Sequence, residues 1–344
     1  MTTHKYDTLS PDFWEALTNV VTQSYNEDAG VQLNAKVLPT GRYVARASGA
    51  ERKPRKSKVA AHAVNVDTME GEESYLRPNG DTYFGRKWGE HSDVLVLRKA
   101  REVTESIFAG ASGSAMFALL YGAPGCGKTA LVEAAFGEDT YTLMGTGDTE
   151  VADMVGGYVQ TPSGGFEWVD GDLLRAAEEG KVYFIDEIGL IDPKVLSLVY
   201  GLMDGRRELT ITANPERGTV KAKEGFYVVA ATNPNAPGVR LSEALLSRFT
   251  LQVEMATDWS LARKMGVPTP LVTAAQNLSK KMNAGETSWA PQMREMLAFR
   301  DIAEGFGTSF AISNLLAASP EMDRATVADV LTRVYGEEHK PAKI

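Results

Sequence analysis

The sequence predicts a parallel five-stranded α/β sheet covered by helices, followed by a smaller all-helical region. Three observations carry this reading. Between about residues 93 and 256, short apolar runs alternate with stretches of helical spacing, the pattern of strand–helix–strand units. After about Thr257 no strand pattern is found, while helical spacing continues. One glycine-rich segment directly follows an apolar run and opens a helical one.

In chain order, residues 1–90 read as an N-terminal extension. Within it, Pro11 to about Thr22 predicts a short helix with Phe13, Leu17, Val20 and Val21 on one side. A polar linker spans about residues 48–62 and is centred on Arg52, Lys53, Arg55, Lys56 and Lys58. Arg77–Gly80 signals a turn. The aromatics Tyr75, Tyr83, Phe84 and Trp88 that surround it are expected in the core or packed against the sheet domain. The sheet domain is placed at 91–256, with buried parallel strands at Phe117–Tyr121, Tyr141–Met144, Val182–Ile185, Phe226–Ala231 and Leu251–Val253. Tyr158–Val169 and Leu209–Ala222 read as glycine-turned hairpins. The helical region is placed at 257–344, with Leu271, Ala275, Leu278 and Met282 at helical spacing, and Val327, Val330, Leu331 and Val334 again.

Composition narrows the function classes. The 344 residues carry a net charge of −9. Residues 1–90 are balanced, so the acidity belongs to the rest of the chain. That argues against nucleic-acid binding through overall charge. The basic cluster keeps a local nucleic-acid contact open, although no aromatic residues interleave with it. A single cysteine excludes an internal disulfide framework, and with four histidines a Cys/His metal site is not expected. No apolar run approaches the ~18 residues that span a bilayer, and the N-terminus lacks a signal-peptide pattern. A cytoplasmic protein without membrane contact is expected.

Gly122, Ala123, Pro124, Gly125, Cys126, Gly127, Lys128 and Thr129 match G-x-x-x-x-G-K-[ST], and Ala130 continues the helix. Glycines let backbone N–H groups turn around phosphate oxygens at a helix N-terminus. Lys128 is expected at the β- and γ-phosphates, and the Thr129 hydroxyl at Mg²⁺. Cys126 reads as a small filler. Were its thiol activated at the helix N-terminus, alkylation would block nucleotide binding and ATP would protect it. About 60 residues on, Val182–Glu187 is an apolar strand ending in two carboxylates. Asp186 is expected to hold Mg²⁺ and Glu187 to orient or deprotonate the attacking water.

From about Asp93 to about Val334, some two-thirds of the chain, the sequence resembles the AAA+ ATPases of the MoxR-type, dynein-related branch, which includes CbbQ/NorQ, gas-vesicle protein N and midasin. The resemblance rests on ordered motifs. Asp148–Tyr158 is similar to the branch's segment after the second strand. Phe166–Gly180 resembles W-x-x-G-x-L-x-x-A-x-x-x-G. Val229–Pro234 resembles sensor 1, and Leu241–Phe249 the arginine-finger helix. The resemblance implies ATP with Mg²⁺, ATP over GTP resting on resemblance alone. It implies that Asn233 bridges the γ-phosphate and the attacking water, and that Arg248 reaches the neighbouring subunit's nucleotide, with Arg240 a weaker alternative. Arg294 is implied as sensor 2, with Arg300 six residues away as the alternative. It also implies a homo-oligomeric ring, expected to be a hexamer, in which the two hairpins face a central pore. The expected partner is a protein client or a von Willebrand factor A-domain protein, and the expected activity is remodelling of that client. A nucleic-acid motor or restriction-type NTPase subunit is the alternative. A scaffold that binds nucleotide without turnover is opposed by the intact Lys128, Glu187 and Arg248.

Overall fold

A computed structural model describes residues 73–88 and 90–342. The chain divides into two units, Met1–Ala63 and Val64–Ile344, and every described residue belongs to the second. The helix expected at Pro11–Thr22 and the basic cluster Arg52–Lys58 lie outside the described residues.

The central sheet contains β1 (Ala118–Tyr121), β2 (Thr140–Met144), β3 (Val182–Asp186), β4 (Tyr227–Thr232) and β5 (Leu251–Glu254). Their spatial order is β5-β1-β4-β3-β2, and every neighbouring pair is parallel. All five begin and end within one residue of the predicted runs. Every residue of β3 and β4 is buried. Side chains alternate between the two faces of a strand, so both faces of these strands are covered. That is why they read as unbroken apolar runs. The edge strands β2 and β5 leave alternate residues more exposed.

The helices are α1 (Asp93–Phe108), α2 (Lys128–Phe136), α3 (Val151–Val155), α4 (Asp172–Glu179), α5 (Pro193–Met203), α6 (Glu243–Leu246), α7 (Trp259–Lys264), α8 (Thr269–Asn283), α9 (Met293–Phe306), α10 (Thr308–Ala318) and α11 (Arg324–Tyr335). Among the described residues no strand follows β5. Two apolar cores form. One is the sheet core, in which Phe117, Tyr183, Phe184 and Tyr227 are buried. The other joins α7 to α11 through Leu271, Leu278, Met296, Phe299, Leu316 and Val327. A buried side chain of this size stabilises by roughly 1.5–3 kcal/mol relative to exposure, so each core holds its own layer.

The residues just before α1 touch both cores. The hairpin Ser74–Leu76/Thr82–Phe84 places buried Tyr83 in the sheet core and buried Phe84 in the helical core. Of the expected aromatics, Trp88 is not in either core: it is 38% exposed and lines a cleft against the sheet domain, described below. Gly156–Gln160 pairs antiparallel with Phe166–Asp170, and Glu208–Thr210 with Thr219–Lys221, so both expected hairpins are present. Among the described residues no helix is long and apolar enough to cross a membrane.

Candidate functional site

The strand order brings three distant segments to one edge. The glycine-rich loop follows β1, the Asp186–Glu187 pair ends β3, and Asn233 follows β4, which lies between them. All three strands are parallel, so these residues meet at the carboxyl edge, where open α/β sheets hold their ligands.

The loop is shaped by glycine. Gly122 has φ +154°, and a Cβ there would lie 2.3 Å from the Met255 carbonyl oxygen, so no other residue fits. The tight approach seats the loop against the end of β5. Helix α2 then opens at Lys128, with Gly127 in the left-handed region at φ +94° as its N-cap and no side-chain cap. The first turn's N–H groups lack intrahelical acceptors, and a helix N-terminus of this kind attracts phosphate. Lys128 is buried, and its Nζ donates to the carbonyl oxygens of Gly122 and Ala123 at 2.9 and 3.1 Å. Among the described residues no carboxylate pairs with it. A buried ammonium held only by neutral carbonyls retains its attraction for an anion. The Cys126 thiol is 1% exposed and belongs to the sheet core. Its Sγ lies 4.0 Å from Lys128 Nζ.

Thr129 Oγ1 donates to Asp186 Oδ2 at 2.8 Å. The other oxygen, Asp186 Oδ1, accepts from the Glu187 N–H at 3.0 Å. A hydroxyl and a buried carboxylate converging in this way form an oxygen-only donor set, which suits Mg²⁺. Among the described residues no group of three or more His, Cys, Asp or Glu could hold a metal. Protein ligands this few fit an ion held largely by phosphate and water.

Glu187 lies at φ 51°, in the left-handed region. Such a conformation is uncommon for a residue with a Cβ and costs of order 1–3 kcal/mol. It turns the side chain away from Asp186 and toward β4. There Glu187 Oε2 accepts from the Asn233 backbone N–H at 3.4 Å. The Asn233 side-chain oxygen accepts from Asn235 N at 3.2 Å, forming an Asx turn.

The arginine candidates occupy different places. The N-terminal turn of α9 abuts the loop: a Cβ on Gly125 would stand 3.0 Å from Arg294 Cβ, and Arg294 is exposed. Arg300 instead donates to the Met265 carbonyl at 2.6 Å and pairs with Asp301 at 2.6 Å, so its guanidinium is committed away from the loop. Arg248 follows α6, and its guanidinium carbon lies 4.2 Å from the ring centroid of Tyr200 on α5. Arg240 is exposed, and its backbone N–H donates to Gly189 O at 2.7 Å.

One residue at the site had no signal in the sequence. Arg86 donates to the carbonyl oxygens of Cys126 in the loop and of Ala256 just after β5, the latter at 3.1 Å. Its own backbone is held by buried Asp93, which accepts from Arg86 N–H at 3.0 Å and from the Tyr83 hydroxyl at 2.5 Å. Burial raises the Asp93 pKa against these hydrogen bonds. Arg86 thus ties the phosphate loop to the segment that leads into the helical layer. Beside the loop, a cleft of about 310 Å³ is lined by Arg86, Trp88, Leu131 and Gln252–Ala256.

The AAA domain (dynein-related subfamily) family model matches residues 118–249. The chain is 29% identical over 234 residues to Protein NorQ of Paracoccus denitrificans, covering 66% of this chain and 83% of that one. It is 32% identical over 275 residues to the uncharacterized protein YojN of Bacillus subtilis, covering 74% and 87%. It is 30% identical over 206 residues to midasin of Giardia intestinalis, covering 54% of this chain and 4% of midasin. The sheet order, the loop seated on its edge and these relatives agree: the chain belongs to the dynein-related AAA family, in the MoxR-type branch of the AAA+ ATPases.

Proposed function

We propose that this chain hydrolyses ATP with Mg²⁺ at sites completed between subunits of a homo-oligomeric ring, taken as a hexamer, and that the ring remodels a protein client. The observation that carries the reading is the convergence of Thr129, Asp186, Glu187 and Asn233 beside the phosphate loop, with Thr129 Oγ1 and Asp186 Oδ2 at 2.8 Å.

In this reading the loop from Gly122 to Ala130 and the α2 N-terminus bind the phosphates. Lys128 exchanges its two carbonyl acceptors for β- and γ-phosphate oxygens. Thr129 and Asp186 would hold Mg²⁺, which supplies charge neutralisation at the phosphates. Glu187 takes a proton from the attacking water as its oxygen bonds to the γ-phosphorus. The bond from that phosphorus to the β–γ bridging oxygen breaks, and ADP and phosphate leave. Asn233 orients the water, and Arg294 contacts the γ-phosphate from α9. Arg248 of the neighbouring subunit offsets the transition-state charge, an effect worth ~10³–10⁵ in rate for such arginines. The adenine of the nucleotide would occupy the cleft beside Trp88 and Leu131.

Client contact is assigned to the hairpin Gly156–Asp170. It exposes Tyr158 and Phe166 on one face and Val159 and Val169 on the other, apolar side chains of the kind that mark interaction sites. A protein client, or a partner carrying a von Willebrand factor A domain, would meet it there. A cytoplasmic location belongs to the same proposal.

The test is specific ATPase activity against protein concentration, from nanomolar to tens of micromolar, with the assembly sized at each point. A cooperative rise that tracks ring formation is expected. Full turnover by a monomer would overturn the shared site. Stimulation by DNA that falls steeply with salt would favour the nucleic-acid alternative.

A further inference from the structure

We propose that Tyr200 is the positioning residue for Arg248, the arginine presented to the neighbour's nucleotide; the inference rests on that trans-acting role. Arg248 follows α6, a helix of only four residues. So short a helix has little rigidity of its own. Tyr200 meets both of its ends. Its ring lies under the guanidinium, 4.2 Å from Cζ to the ring centroid. Its hydroxyl lies 3.3 Å from Ser242 Oγ, and Ser242 is the N-cap of α6, accepting from Leu245 N–H at 3.2 Å. A single side chain on the longer α5 therefore fixes where α6 starts and where its arginine lies.

The manner of holding matters for the chemistry. Arg248 Nη1 donates to Ala244 O at 2.7 Å, and Nε is buried with no partner among the described residues. No carboxylate pairs with Arg248 among those residues. Asp204 lies near enough for Arg248 to contribute to its lowered pKa, but its oxygens are bonded to Arg206, at 2.8 Å for the closest contact. An arginine held by a salt bridge would have to break it before meeting phosphate. Stacking on a ring face fixes the guanidinium plane and leaves donors free.

The experiment compares Tyr200→Leu, Tyr200→Phe, Arg248→Ala and the wild-type full chain. Readouts are kcat, KM for ATP, ring size and thermal midpoint. Tyr200→Leu keeps apolar bulk without a ring face. It is expected to lower kcat about tenfold, the scale of a lost cation–π contact, with KM, ring size and thermal midpoint close to wild type. Tyr200→Phe is expected to retain most of the turnover. If Tyr200→Leu keeps wild-type kcat while Arg248→Ala loses it, the platform is overturned and the trans-acting arginine stands. If Phe and Leu are equally impaired, the hydroxyl rather than the ring face matters, and the platform is again overturned. If Arg248→Ala keeps wild-type kcat, the trans-acting role fails and the platform fails with it.

Discussion

The carboxyl edge of the sheet and the α5–α6 corner hold their polar groups in opposite ways. At the edge, the candidate groups engage one another. Lys128 lies on two loop carbonyls, Thr129 on Asp186, and Glu187 on the Asn233 backbone. At the corner, Arg248 has, among the described residues, one hydrogen bond to its own short helix, a ring beneath it and a buried Nε without a partner. The edge is preorganised within one chain, so its geometry can be read from one chain. The corner holds a charge in place without a carboxylate partner among the described residues, which is the arrangement expected of a group whose acceptor lies on another molecule.

The largest expected effect would separate the two regions. Glu187→Gln is expected to bind ATP normally and lower kcat by ~10²–10⁴, the range for loss of a general base. Mixed with Arg248→Ala subunits, it should recover activity only at junctions that pair an intact Glu187 with an intact Arg248. Activity that follows a simple weighted sum of the two pure variants would break the comparison, placing both groups in one subunit's site.

A smaller effect sharpens the edge itself. Lys128→Ala is expected to weaken nucleotide binding by roughly 10–100-fold, as for loss of charge-assisted hydrogen bonds. Titration with a fluorescent nucleotide would measure it. Unchanged affinity would mean that the loop's backbone groups alone hold the phosphates.

The smallest effect concerns the link between the two hairpins. Arg217, in the loop of the second hairpin, donates to both oxygens of Asp170 at the end of the first, with a closest contact of 3.0 Å, and pairs also with Glu178 on α4. The hydrogen bond from Arg217 holds the Asp170 carboxyl below its ordinary value. A depressed folded-state pKa stabilises the fold above the unfolded pKa of about 4, and that stability is lost as pH falls through the folded value. Asp170→Asn should therefore cost about 1 kcal/mol near neutrality, the scale for a partly solvated pair. The difference from wild type should shrink below pH about 4. Equal unfolding midpoints of variant and wild type at pH 7 would show that the hairpins are held together by packing alone.

Much of this was legible in the sequence because local chemistry enforced it. β3 and β4 are buried on both faces, so they must be continuous apolar runs. The phosphate loop needs glycine where Gly122 meets the Met255 carbonyl, so its spacing is fixed. Arg294 and Arg300 could not be separated by pattern, because both lie on one helix, six residues apart. Their different surroundings come from the packing of α9 between the loop and the Met265 carbonyl. For Trp88 the pattern left the core and the flank of the sheet domain open, and packing put it at the cleft.

By itself, the sequence determined the strand–helix alternation, the phosphate loop, the two carboxylates and the helical region, since each is set by residues close together in the chain. Tertiary structure alone decided what contacts at long separation control. It set Arg86 across the loop and onto the Ala256 carbonyl, which lies 170 residues from Arg86 in sequence. It turned Glu187 toward Asn233, and it laid Arg248 on Tyr200. Such contacts depend on strand order and on the facing of helices, which no local spacing encodes.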